Sequence, residues 1–286
     1  MMQRRLALTA LALALTGLSF VPAVAQEAEL QFKQLKPLKP SGDIVAPFFD
    51  GWYPNPDGTY TLSFGYMNRN TREIVDIPVG PNNVIEPAEF DGMQPTHFEP
   101  VNYGGFDARR ERGAFTITIP AELADTDVVW TITHAGETYS VPGRVTSPAY
   151  ELSYSPMTAG SEPPRMAFAE SGPFSVGRAG EFYEETLTTT VGAPVTLSVW
   201  AEDNGVREET FPVEVVWWHH QGPGEVVFET ESTELESLGE ATTTATFSGP
   251  GEYVIRARAD NFGASDSSFG NQCCWSNLYF RVNVTE

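Results

Sequence analysis

The chain has 286 residues, 41% hydrophobic and 12% aromatic, enough for one to three folded domains with real cores and too apolar for a disordered chain. It carries 17 Lys+Arg against 38 Asp+Glu, a net charge of −21, and a field of that sign repels nucleic acid, so a nucleic-acid partner is excluded. Lysine occurs only at Lys33, Lys36 and Lys39, and so acidic a surface suits either solvation in salty water or the attraction of divalent cations.

Arg4 and Arg5 precede an apolar run from Leu6 to about Val24 that ends Ala23-Val24-Ala25. This is the pattern of a bacterial Sec-type export signal, residues 1–25, cleaved after Ala25, and Gly17, Ser19 and Pro22 late in the run favour removal over a retained anchor. No later stretch approaches the ~18 apolar residues of a membrane helix, so the expectation is a periplasmic or extracellular protein without membrane insertion. Residues 26–42 hold Pro37, Pro40 and all three lysines and read as an exposed tether.

Two β-rich blocks follow, 43–150 and 165–286, separated over 151–164 by a Pro-, Ser- and Gly-rich linker. Neither block keeps a helical apolar period for three turns. Short alternating runs recur instead, the rhythm of an all-β protein of two sandwiches in tandem. In the first block the strands fall at 48–53, 59–67, 74–77, 114–119, 128–133 and 138–141. Turns are predicted at Asn55-Pro56-Asp57-Gly58, Gly80-Pro81-Asn82-Asn83 and His134-Ala135-Gly136-Glu137, whose residues fix or tolerate turn dihedrals. In the second block Val195, Leu197 and Val199 face inward, as do Val213, Val215 and Trp217; then Ile255, Ala257 and Ala259 inward with Arg256 and Arg258 outward, and Phe280, Val282 and Val284 inward.

The run Val191-Gly192-Ala193-Pro194-Val195-Thr196-Leu197, the tryptophan on the third strand and Gly251-Glu252-Tyr253 opening the penultimate one resemble a PKD or immunoglobulin-like domain over residues 185 to 286. The resemblance implies a β-sandwich in which Tyr253 anchors the corner before the penultimate strand, and it implies no activity. The first block, with FDGWYPNPDGTYTLSFGYMNRN and VGPNNVIEP, is similar to uncharacterised exported bacterial proteins.

The two cysteines are adjacent, in Asn271-Gln272-Cys273-Cys274-Trp275. Neighbouring Cα atoms lie about 3.8 Å apart, under the usual 4.4 to 6.8 Å of a disulfide, so a Cys273–Cys274 bond would make a tight, stiff apolar turn able to cap a ligand. Two reduced thiols or a bond to another chain are the alternatives. The sandwich topology places this turn at one end with the loop after the second strand, making Asn271, Cys273, Cys274 and Trp275 the candidate ligand-binding residues. There Asp203, Asn204, Asp260 and Asp266 could supply hard oxygen ligands to Ca²⁺, or simply make turns. His219 and His220 should face opposite sides of a strand and form a polar rim, without chelating one ion. His97 and His134 have no partner visible in the sequence. Arg109-Arg110-Glu111-Arg112 could bind an anion or lie in an exposed loop.

No Gly-x-Ser-x-Gly elbow, His-Glu-x-x-His, phosphate loop or dinucleotide fingerprint occurs. The expectation is a non-enzymatic exported binding module that recognises a glycan, peptide or envelope protein through one end of the second sandwich. The alternative is a structural or assembly protein of the envelope or of an extracellular polymer.

Overall fold

The computed structural model describes residues 37–100, 110–152, 162–205, 212–261 and 274–286. The export signal, Lys33, Lys36, Arg109, most of the linker, Asp266, Asn271 and Cys273 lie outside the described residues. Among those described, the only helical pieces are three short 3₁₀ turns, at Ala88–Phe90, Ala121–Leu123 and Pro148–Tyr150; everything else regular is β.

The first block holds β1 (Val45–Pro54), β2 (Tyr60–Asn68), β3 (Val75–Asp76), β4 (Asn83–Glu86), β5 (His97–Phe98), β6 (Glu111–Ile119), β7 (Val128–His134) and β8 (Glu137–Gly143). They form sheets ordered β1-β2-β6 and β4-β7-β8, with β3 pairing β5 apart. Trp130 fills the core between them, edge-on to Phe64 and Phe115, and its indole N–H donates to Asn83 Oδ1 at 2.9 Å, so the buried donor is satisfied. The predicted hairpin at His134–Glu137 forms, with Ala135 at φ 53° and Gly136 at φ 79°, the left-handed pair that a two-residue loop requires. Asn83, expected to end a turn, opens β4 instead. Its amide donates to the Ile77 and Pro95 carbonyls and so ties three segments together.

The second block contributes β9 (Arg165–Ala167), β10 (Ser175–Val176), β11 (Glu181–Phe182), β12 (Leu187–Thr190), β13 (Val195–Glu202), β14 (Val213–Gln221), β15 (Val226–Phe228), β16 (Ser232–Leu235), β17 (Gly239–Phe247), β18 (Gly251–Asp260) and β19 (Trp275–Thr285). One sheet runs β10-β9-β13-β17-β15 and the other β11-β19-β18-β14-β16, with β12 also on β19, an immunoglobulin-like sandwich. The predicted inward set is buried except Val195, which is partly so: Leu197, Val199, Val213, Val215, Trp217, Ile255, Ala257, Phe280 and Val282 share one core. Tyr253 takes the corner role, its hydroxyl donating to the Gly249 carbonyl at 2.8 Å.

The outward face departs from expectation. A strand with one wet face alternates, and β19 does so only from Phe280 on, while Trp275 to Tyr279 are all buried. Arg256, expected in solvent, is 2% exposed. The reason is that the first block covers Arg256 and Trp275, while the segment from Gly177 to Phe182 of the second block covers Asn277 and Tyr279. Residues 38–286 accordingly form a single unit, closed by a seam of side chains from both blocks.

Candidate functional site at the seam between the sandwiches

Arg256 anchors the seam. Its guanidinium donates to the backbone carbonyls of Gly113 (3.1 Å) and Ala114 and lies 3.6 Å from Glu111, and burial pulls it below the usual arginine value. Arg258 pairs with the same Glu111 at 2.9 Å and with Asp260 at 3.2 Å, and both guanidiniums lie 5.3 Å from the Trp218 ring. Arg178 is stacked between Tyr53 of the first block and Trp275 of the second. Gly113, at φ +58°, packs directly on the Trp275 indole, where any side chain would collide. The bulges in β1 at Asp50 and in β6 opposite Gly65 shape this contact. They turn Asp50 inward, where it accepts the Gly113 N–H at 2.8 Å and lies 3.4 Å from Arg110; burial raises its carboxyl to about 6.

Further along the seam, a bulge between His219 and Gln221 breaks the alternation of β14, so that both histidines are buried and the expected polar rim is not formed. His220 Nε2 meets the Met93 carbonyl at 2.9 Å, its own carbonyl accepts the Thr96 N–H, and Gln221 donates to the Gly92 and Gln94 carbonyls. His219 stacks on His97 of the first block with ring centroids 4.1 Å apart, while His97 Nδ1 sits 2.7 Å from Asp76 Oδ1. Neither ring nitrogen of His219 makes a hydrogen bond, although the Gln221 and Gly222 backbone passes close by. Burial, with His97 adding to it, pulls His219 down to about 3, and burial followed by Arg256 does the same to His220.

The Asp76–His97 pair stands between two openings of the seam. On the Asp76 side a groove of about 850 Å³ has an apolar wall of Pro78, Val79, Pro223 and Val254 and polar edges from Glu252 and Arg281. On the His97 side is a smaller cleft of about 330 Å³, floored by His97, His219 and Trp217.

The sequence-predicted site residues are distributed differently. Trp275 is 3% exposed and Cys274 is fully buried, so the indole lies inside the seam rather than on a ligand-facing loop. Among the described residues no cysteine is free. The loop ends do converge: Asn261 donates to Asp203 Oδ1 at 3.1 Å, and Asn204 reaches Glu162. Asp203 also takes the Gly205 N–H, the ordinary work of a turn, and Asp260 is turned to Arg258. No group of three or more His, Cys, Asp or Glu able to hold a metal occurs among the described residues. Sequence reasoning missed His97, His219 and Trp218 as site residues. The one local signal was Trp217-Trp218 itself, because two successive tryptophans on a strand call for cover on both faces.

No family model and no curated protein matches the chain. Among solved structures it is similar to the D00–D0 domain of Intimin, at 13% identity and TM-score 0.28 over 85% of this chain and 100% of that one. It is similar also to the Yersinia pseudotuberculosis adhesin InvE, at 11% and 0.26 over 85% and 59%, and to the ASH/PapD-like domain of human CEP192, at 14% and 0.28 over 47% and 89%. Likeness at this level carries no argument about function.

Proposed function

We propose that this chain is a non-catalytic exported module whose two sandwiches act as one body and bind a protein or glycan partner in the groove across their seam. The observation that carries the reading is the groove itself. It is large enough for a peptide or sugar segment, is walled by residues of both blocks, and combines an apolar surface with a few convergent polar groups, the composition of binding sites at domain junctions. The buried ionisable groups nearby support a non-catalytic reading, because Arg256 and His220 are engaged in holding the blocks together and Asp50 braces the first block beneath that contact. No hydroxyl or thiol is hydrogen-bonded to His97 among the described residues. An assembly role is favoured by one feature, Val227, 63% exposed on the edge strand β15, where another copy could add a strand.

A photo-crosslinking residue at Val79, on the groove wall, tests the reading in the native envelope, with Val176 as a control outside it. The expected result is a discrete adduct from Val79 only, lost in Val254→Asp and Arg281→Glu variants. An identical adduct from both positions, or none from Val79, overturns it. Concentration-dependent polymers in size exclusion would favour assembly.

A further inference from the structure

The cleft on the His97 side has a chemistry of its own. Glu99, Glu225 and Glu231 stand exposed at its mouth, and no lysine or arginine is found among its described lining residues. Although the residue as a whole is exposed, partial burial of its carboxyl holds Glu99 above the usual range, with His97 opposing the rise and Glu111 and Glu231 adding to it. Ile74, 45% exposed, and Val227 form apolar lips. At the floor, His219 is 5% exposed and neutral, and its ring nitrogens stand open beside the indole N–H groups of Trp217 and Trp218, so the floor offers one imidazole acceptor together with N–H donors. A buried acceptor lacking a donor is costly unless something fills it. An acidic rim with no lysine or arginine in its lining, apolar lips and an open imidazole acceptor suit an ammonium or guanidinium on an aliphatic stem, and the two indole N–H groups can hold the waters that accompany it.

We propose that this cleft receives a lysine or arginine side chain of a partner polypeptide. The head group donates to His219 with Glu99 and Glu231 supplying opposite charge, and the stem lies against Ile74 and Val227. The volume of about 330 Å³ admits one long side chain and a few waters, not a folded element. This deepens the reading of the chain as a binding module and rests on it.

The test is an NMR titration of the full exported chain, following the His219 ring and Trp218 indole signals. The probes are acetyl-Gly-Lys-Gly-amide, the same peptide with norleucine for lysine, and n-butylamine. The lysine peptide should shift both signals and weaken with added salt. A Glu99→Gln/Glu231→Gln variant with an otherwise native spectrum should bind it at least about tenfold more weakly. No shift, equal binding of the norleucine peptide, or undiminished binding by the double variant overturns the proposal. Butylamine, the bare stem and head group, should shift the same two signals, and its failure to do so while the lysine peptide binds would overturn the assignment of the cleft to the side chain. Because small probes report on the cleft alone, a failed titration leaves a groove adduct at Val79 standing, and a failed adduct leaves the titration standing.

Discussion

Replacing His219 by phenylalanine tests the seam through its dependence on pH. A histidine that titrates near its ordinary 6.5 when unfolded but at about 3 when folded stabilises the protein fully above 6.5. As pH falls from 6.5 toward 3, the unfolded chain takes up a proton that the folded one refuses, and stability is lost at ~1.4 kcal/mol per unit. At about pH 5 the loss is roughly 2 kcal/mol for His219 and a similar amount for His220. Asp50 works in the opposite sense: its folded value, about 6, lies above its ordinary 3.8, so the native state protonates first and recovers roughly 1.4 kcal/mol at the same pH. The protein should therefore be less stable at about pH 5 than at about pH 8 by roughly 2 to 3 kcal/mol. Phenylalanine keeps the ring contacts with His97 and Tyr253 and removes the titrating nitrogens. Urea unfolding followed by tryptophan fluorescence should show His219→Phe losing about 2 kcal/mol less over that interval. Equal losses in the two proteins would refute the burial of a neutral His219 in the seam.

Three further outcomes follow from the packing. Trp217→Ala should cost about 3 to 5 kcal/mol in chemical denaturation, because the indole is 3% exposed at the centre of the second core. Gly113→Ala should destabilise the protein by more than the ~1 kcal/mol of a left-handed alanine, and so lower its melting temperature, since the new methyl group meets the Trp275 indole. Cys273 and Cys274 are proposed to bond to each other, so intact mass of the non-reduced monomer should lie about 2 Da below the dithiol value, and a disulfide-linked dimer would contradict the pairing.

The inner faces of the second sandwich were legible because a strand wet on one side writes its burial at period two, as in Leu197 and Val199 or Phe280 and Val282. The same logic placed Arg256 in solvent and failed there. Its partners are the carbonyls of Gly113 and Ala114, 143 and 142 residues away in sequence, and a backbone carbonyl offers no residue type to recognise. His97 lay on a two-residue strand, too short for any period, and the bulge that buries both His219 and His220 has no fixed residue signature in the sequence. The predicted end-of-sandwich loops do meet, at Asp203 and Asn261, but Trp275 was read as part of a loop when it is the first residue of β19 and lies against the other block.

Native-state hydrogen exchange at two seam amides tests most directly the claim that the sandwiches are one body. The Thr96 N–H is bonded to the His220 carbonyl and the Gly222 N–H to Thr96 Oγ1, each across the seam. If the blocks stay joined, both amides exchange only through global unfolding, as slowly as the amides of the central strand β18. Exchange orders of magnitude faster than the two cores, by opening of the seam alone, would contradict the account.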